Sequence, residues 1–327
     1  MRPAAVLFAG LAGLLTASGQ SGSSKLERTM LAGTEYVRLA DWSKPLNFQT
    51  HWTRQNEEVQ LTSASSRLVF TLDSERAEIN GVNAWLSAPV TARNGTVYLG
   101  LVDVQTVLQP VLFPPKNPGG APILSICLDP GHGGKDPGNE EGRRREKDYT
   151  FLLARDLRDL LTRAGLKILL TRNGDQFVPL ADRPEYARRQ GADLFVSLHF
   201  NATLIDKNHV RGFEVYCLTP AGASSTHARG DMADPTAFAG NRFDARNMLL
   251  AYQLQKAIIK SQPGEDRGVK HARFAVLRNA PVPAALIEAG FMTHPEDARR
   301  IFSTDSRQQL ARAIADGILA YKRLVER

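Results

Sequence analysis

The sequence predicts an α/β protein: a mixed, largely parallel sheet covered by helices on both faces, preceded by a small β-rich domain. Three observations predict it. From residue 123 onward, short apolar runs alternate with amphipathic helical stretches, the pattern of strands joined by crossover helices. Residues 31–113 instead carry strand-like runs and the dipeptides Asn80-Gly81 and Asn94-Gly95, which favour tight hairpin turns. Between them, Pro114-Pro115-Lys116-Asn117-Pro118-Gly119-Gly120 can neither continue a helix nor sit inside a sheet. Residues 114–122 therefore read as a linker and 123–327 as a second domain.

Taken in order, Met1-Arg2, an uncharged apolar run over 4–15 and the small residues Ala17-Ser18-Gly19 have the layout of a secretory leader over 1–19. The run is too short to span a bilayer, and no later stretch approaches that length, so no transmembrane anchor is expected. Residues 20–30 are Ser/Gly-rich and read as a flexible tether. Within the β-rich module, 67–72, 97–101 and 102–108 read as strands. Past the linker, 123–128 is a strand. Tyr149, Leu152, Leu153, Leu157, Leu160 and Leu161 mark a helix over 147–164, closed by Gly165. Strands follow at 167–171, 194–198, 212–218, 274–277 and 284–287, and helices at 185–190, 246–261 and 306–325. Cys127 and Cys217 each fall inside a strand and read as buried thiols. Two cysteines exclude a disulfide framework and a four-cysteine zinc module.

With 43% hydrophobic and 23% charged residues, the 327-residue chain is neither wholly disordered, collagenous nor a multi-span membrane protein. Its 41 Lys+Arg against 34 Asp+Glu give a net charge of +7. That charge suits polyanionic surroundings without choosing among nucleic acid, membrane and wall polymer. No aromatic-interleaved basic stripe or nucleic-acid motif supports the first of these.

In open α/β sheets, sites form beyond the carboxyl ends of the strands. The 123–128 run leads into Asp129-Pro130-Gly131-His132-Gly133-Gly134, 194–198 into His199-Phe200-Asn201, and 284–287 into Glu288-Ala289-Gly290-Phe291; Glu146 opens a helix. Two histidines and a carboxylate, with one position left for water, match the ligand set of a catalytic zinc site. Singly, each has a plainer reading. His132 could be a loop histidine, His199 a satisfied polar residue, and Glu146 a helix N-terminal charge or an ion-pair partner of Arg145 or Lys147. Glu288 is the hardest to dismiss, because it closes an apolar run where an uncompensated carboxylate is costly. His51, His209, His227, His271 and His294 read as solvated. The glycine-rich loop matches neither the Walker A spacing nor GxGxxG.

Residues 123–324 resemble the zinc-dependent N-acetylmuramoyl-L-alanine amidases of the type 3 cell-wall class. The resemblance runs through Leu128-Asp129-Pro130-Gly131-His132-Gly133-Gly134, Asp136-Pro137-Gly138, Glu146-Lys147, Ala192 to Ala202, Arg267-Gly268-Val269-Lys270, Val276-Leu277-Arg278 and Pro283 to Phe291. It implies hydrolysis of the amide between N-acetylmuramic acid and L-alanine in peptidoglycan. It implies Zn2+ held by His132, Glu146 and His199, with Glu288 as the catalytic carboxylate. It also places Asn201 and Arg183 around the site as supporting or packing groups. Arg145, with Arg143 and Arg144, could meet stem-peptide carboxylates, although a solvated basic turn is the plainer reading. The expected partner is peptidoglycan, with an activator protein a further candidate. The expected location is the periplasm or cell envelope, and the chain is expected to be a monomer.

The segment from Ile79 to Leu99 loosely resembles the copper-amine-oxidase N-terminal-like module and implies neither copper nor oxidase activity. In some division-associated amidases, an insertion before the helix at 246–261 places a Glu on the zinc. Here residues 219–246 hold no Glu, but do hold His227, Asp231, Asp234 and Asp244. Two other functions remain open at this level: a catalytically silent wall-binding protein, and a zinc peptidase acting on stem peptides.

Overall fold

Alternating burial builds the first half of the chain. The computed structural model describes residues 26–227 and 234–326; the leader at 1–19, residues 20–25 of the tether and Asp231 lie outside the described residues. Strands β1 (Arg28–Leu31) and β2 (Thr34–Arg38) lead into a short helix α1 (Leu39–Ser43). Then come β3 (Gln49–Arg54), β4 (Glu58–Thr62), β5 (Arg67–Thr71), β6 (Ser74–Ile79), β7 (Val82–Arg93) and β8 (Thr96–Gly100). Asn80 and Gly81 turn at φ +50° and +80°, Asn94 and Gly95 at +49° and +74°, the double left-handed geometry that an Asn-Gly hairpin needs.

Two sequence expectations change here. The final part of the tether, from Arg28, is strand β1, paired with β2. Residues 102–108 are not a strand. They belong to a helical stretch, α2 (Leu101–Asp103), a π-helical Val104–Leu108 and α3 (Gln109–Leu112). Leu101, Val104, Val107 and Leu108 are its buried side chains, and spacings of three and four are helical rather than alternating. Residues 114–122 are docked along the chain's last turns, with Asn117 N donating to Val325 O at 2.9 Å and Lys116 Nζ to Leu324 O at 2.9 Å.

The second half supplies β9 (Ser125–Pro130), a small hairpin β10–β11 (Glu140–Glu141, Arg144–Arg145), α4 (Glu146–Arg163), β12 (Lys167–Leu170) and α5 (Asp182–Arg189). It continues with β13 (Leu194–Asn201), β14 (Phe213–Leu218), α6 (Asp244–Ser261), β15 (Asp266–Ala272), α7 (Ala275–Arg278), β16 (Ala284–Phe291), α8 (Pro295–Phe302) and α9 (Thr304–Glu326). Residues 274–277, expected as a strand, instead enter α7, with Phe274 as its extended N-cap. The strand of that region is β15, just upstream. A short apolar run does not distinguish the two by periodicity. Here Val276 and Leu277 pack with Leu218 and Leu286 onto the sheet instead of pairing in it.

The sheet order is β12-β9-β13-β16-β14-β15-β7-β6-β5-β4-β3. β12, β9, β13 and β16 are mutually parallel, β14 runs against β16, and β15 runs with β14. The sheet is mixed and helices cover both faces. Side chains of α4, α6 and α9 pack with one set of strand residues, those of α5 and α7 with the alternate set. Cys127 and Cys217 are buried free thiols in separate clusters. Among the described residues no helix is long and apolar enough to cross a membrane.

Candidate metal centre

The parallel strands β9, β13 and β16 deliver the candidate residues to one edge of the sheet. β9 ends in Asp129-Pro130, and the chain turns with His132 at φ +60°. A non-glycine residue held there costs about 1–3 kcal/mol and is typically retained for function. His199 and Glu288 were expected at strand ends but lie within longer strands. β13 continues to Asn201 past a register shift after His199, and β16 continues to Phe291. His199 and Glu288 are direct register partners.

Three side chains converge. His132 Nε2 lies 3.1 Å and His199 Nδ1 2.9 Å from Glu146 Oε1. One ligand atom from each of the three lies within 4.8 Å of the others, the one such group of His, Cys, Asp or Glu among the described residues. The glycines of the loop make this approach possible. A Cβ on Gly131 would lie 2.3 Å from the His199 ring, and one on Gly138 2.6 Å from His132 and 2.7 Å from Glu146.

His132 and Glu146 are held from behind. His132 Nδ1 lies 2.9 Å from Asp136 Oδ2, which leaves Nε2 toward the cluster. Glu146 Oε2 accepts from Asn139 N at 3.0 Å and Asn139 Nδ2 at 2.8 Å, and Oε1 accepts from Phe200 N at 3.1 Å. Arg183 is buried. It pairs with buried Asp129 at 2.8 Å and donates to His132 O at 3.0 Å. Arg172, also buried, donates to the carbonyls of Pro130, Gly131 and Lys147, tying the His132 loop to the first turn of α4.

Charge follows from this packing. Burial works against ionised Glu146, but His132 and His199 outweigh it and hold its pKa well below 4.5. For His132, burial opposes the cation, and contact with Glu146 and Asp136 raises its pKa above 6.5 overall. Glu288 moves the other way: burial, then the charges of Glu146 and Glu214, raise it well above 4.5. Its Oε2 is buried without a hydrogen-bond partner. Glu288 faces a cleft of about 200 Å³ shared with His132 and His199 and walled by Leu180, Phe274, Val276 and Leu286.

The other sequence candidates are not part of the cluster itself. Asn201 donates to Glu214 Oε1 at 2.9 Å. Arg145 is exposed and pairs with Asp148 at 3.1 Å, outside the cluster. Asp234 and Asp244 accept from Thr236 N and Asn241 Nδ2 and do not line the cleft. Two histidines expected to be solvated are buried. His271 sits inside β15, and His294 caps α8 by accepting from Glu296 N. Asp136, Asn139 and Arg172 were not singled out. Arg172 carried a usable signal, since like Glu288 it is a charge following an apolar run.

The N-acetylmuramoyl-L-alanine amidase family profile matches residues 126–320, more than half of the chain and all of the converging side chains. The chain belongs to this family. A copper amine oxidase N-terminal domain profile matches residues 19–110. The chain is 34% identical over 232 residues to N-acetylmuramoyl-L-alanine amidase AmiA of Escherichia coli K12, covering 63% of this chain and 78% of that one. It is 36% identical over 222 residues to AmiA of Salmonella typhimurium, covering 60% and 75%. The solved structure of amidase AmiC2 of Nostoc punctiforme is 34% identical with a TM-score of 0.52, covering 62% of this chain and 99% of that one. The protein is an N-acetylmuramoyl-L-alanine amidase that acts in peptidoglycan remodelling.

Proposed function

We propose that the amidase is zinc-dependent, with Zn2+ held by His132 Nε2, His199 Nδ1 and Glu146, and that Glu288 carries the proton of the reaction. The observation behind this is the convergence of two imidazole nitrogens and a buried carboxylate, with Glu288 beside them rather than among them. The donor set fits: nitrogen and oxygen ligands from three residues, with open space on the cleft side. Bound there, zinc supplies a Lewis acid that brings the pKa of water to about 7 and polarises the scissile carbonyl.

The chain's own residues do the rest. Glu146 brings negative charge to the centre, and Asn139 and Phe200 N fix its two oxygens. Asp136 orients the His132 ring. Glu288, with one oxygen unpartnered and a raised proton affinity, takes the proton from the attacking water and returns it to the leaving L-alanine amine. Leu180, Phe274, Val276 and Leu286 give the cleft an apolar wall against which the substrate can lie. The leader-like first residues support export to the periplasm or cell envelope, where this substrate lies.

The test is mass spectrometry of purified sacculi digested with added zinc, beside Glu288→Ala. Wild type should release stem peptides that begin with L-alanine. Glu288→Ala should keep stoichiometric zinc and lose at least about 10²-fold in rate. A Glu288→Ala protein that digests at the wild-type rate ends the proton-carrier assignment.

A further inference from the structure

The β-rich module is built into the catalytic sheet. β7 is the next strand beyond β15, with Ala84 paired to Val269. Asn83 N donates to Asp266 Oδ2 at 2.8 Å, and its Nδ2 donates to Asp266 O at 2.9 Å. Trp85 Nε1 donates to Arg267 O at 2.8 Å. Gly268, at φ +85°, lets the strands close up, because a Cβ there would lie 2.8 Å from Asn83 O. Tyr252 of α6 donates to Ile79 O at 2.9 Å. Leu68, Phe70 and Leu86 of the module and Leu249, Leu254 and Ile318 of the second half share one buried apolar cluster.

What β15 carries then matters for the reaction. Arg267 Nε donates to Glu214 Oε2 at 2.8 Å, and Lys270 Nζ donates to the same oxygen. The other oxygen of Glu214 accepts from Asn201 Nδ2 and Tyr216 OH, each at 2.9 Å. Glu214 stands directly opposite Glu288 in the β14–β16 pair. Like charges directly opposite on adjacent strands repel. The arrangement is tolerable because two cations sit on Glu214, and both cations ride on β15.

We infer that the N-terminal module buttresses β15, the strand whose cations hold Glu214 opposite Glu288, and that Trp85 is a positioning residue. Trp85 and Asn83 set the backbone of 266–269, that backbone sets Arg267 and Lys270 on Glu214, and Glu214 sets the surroundings of Glu288. The inference rests on the reading of Glu288 as proton carrier.

Trp85→Phe keeps an aromatic ring at the position, removes the N–H that reaches Arg267 and trims the ring that packs edge-on against His227. Trp52→Phe, in β3 at the far edge of the sheet, is the control. On a soluble muramoyl-peptide, Trp85→Phe should lower kcat at least fivefold, with KM, zinc content and a single thermal unfolding transition retained. Trp52→Phe should match wild type. Hydrogen exchange should show lost protection over 213–216 and 267–270 in Trp85→Phe alone. A folded Trp85→Phe with wild-type kcat, or with unchanged exchange in those segments, overturns the inference. So does a wild type that unfolds in two separate transitions. Should Trp85→Phe fail to fold, Asn83→Ala takes the same readouts. If Glu288→Ala proves active, the proton-carrier reading fails while the exchange result still reports on the β7–β15 coupling.

Discussion

Gly131→Ala adds one methyl group at the most crowded point of the candidate centre. The new Cβ would sit 2.3 Å from His199 Cε1, 2.6 Å from Nε2 and 2.7 Å from Nδ1. Carbon atoms pack at about 3.5–4.0 Å, so the ring must retreat by roughly 1 Å or more. The backbone gives no reason to reject alanine, because Gly131 is not among the residues at positive φ. Restricting the unfolded chain even favours alanine by about 0.4–1 kcal/mol. Overpacking works against it by about 1–3 kcal/mol. The net stability change is therefore a loss of about 0–2.6 kcal/mol, and the fold survives. Metal distances, by contrast, tolerate only about 0.2 Å. Zinc affinity, measured by competition with a chromophoric chelator, should fall at least about 100-fold, and amidase activity with it. A folded Gly131→Ala protein with wild-type zinc affinity would refute the assignment of His199 as a ligand packed against this loop.

Other perturbations follow from the same contacts. Asn139→Ala removes the amide that holds Glu146 Oε2 and should weaken zinc binding about 10–100-fold in the same competition assay, with melting little changed. Arg183→Met leaves Asp129 as a buried, unpaired carboxylate and should cost about 3–5 kcal/mol in urea unfolding. Burial lowers the pKa of His271 from 6.5 to about 4. Its contribution to stability is complete above pH 6.5, where the unfolded chain is also neutral, and is lost as pH falls toward 4, because the unfolded chain takes up the proton first. Between pH 7 and pH 5 this amounts to about 2 kcal/mol, and His271→Phe should flatten urea stability across that interval by a similar amount.

The chemistry was legible where a charged or metal-binding side chain interrupts an apolar pattern. His199 and Glu288 stand out because each follows a strand-like run, and His132 because it sits in a glycine-rich turn after another. Glu146 was legible only through its helix start and the family resemblance. Asp136 was visible only as part of the family motif, and the roles of Asn139 and Arg172 were not read because they depend on partners 7 and 42 residues away. The same limit explains the element errors. The runs 102–108 and 274–277 are short, and both pack helical apolar side chains onto the sheet instead of pairing within it.

The sequence by itself marked most of the alternation of strand and helix, and His132, His199 and Glu288 as residues that break apolar or glycine-rich segments. These follow from residue type and short-range spacing, which are local properties. Only the tertiary structure decided that β15 is a strand and that its outer edge is covered by β7. It also decided that Arg267, Lys270 and Trp85 belong to one network behind Glu288. Those features are pairings between segments up to 183 residues apart. They are selected by which edges and faces can be buried together once the chain closes on itself, and no single segment carries that information.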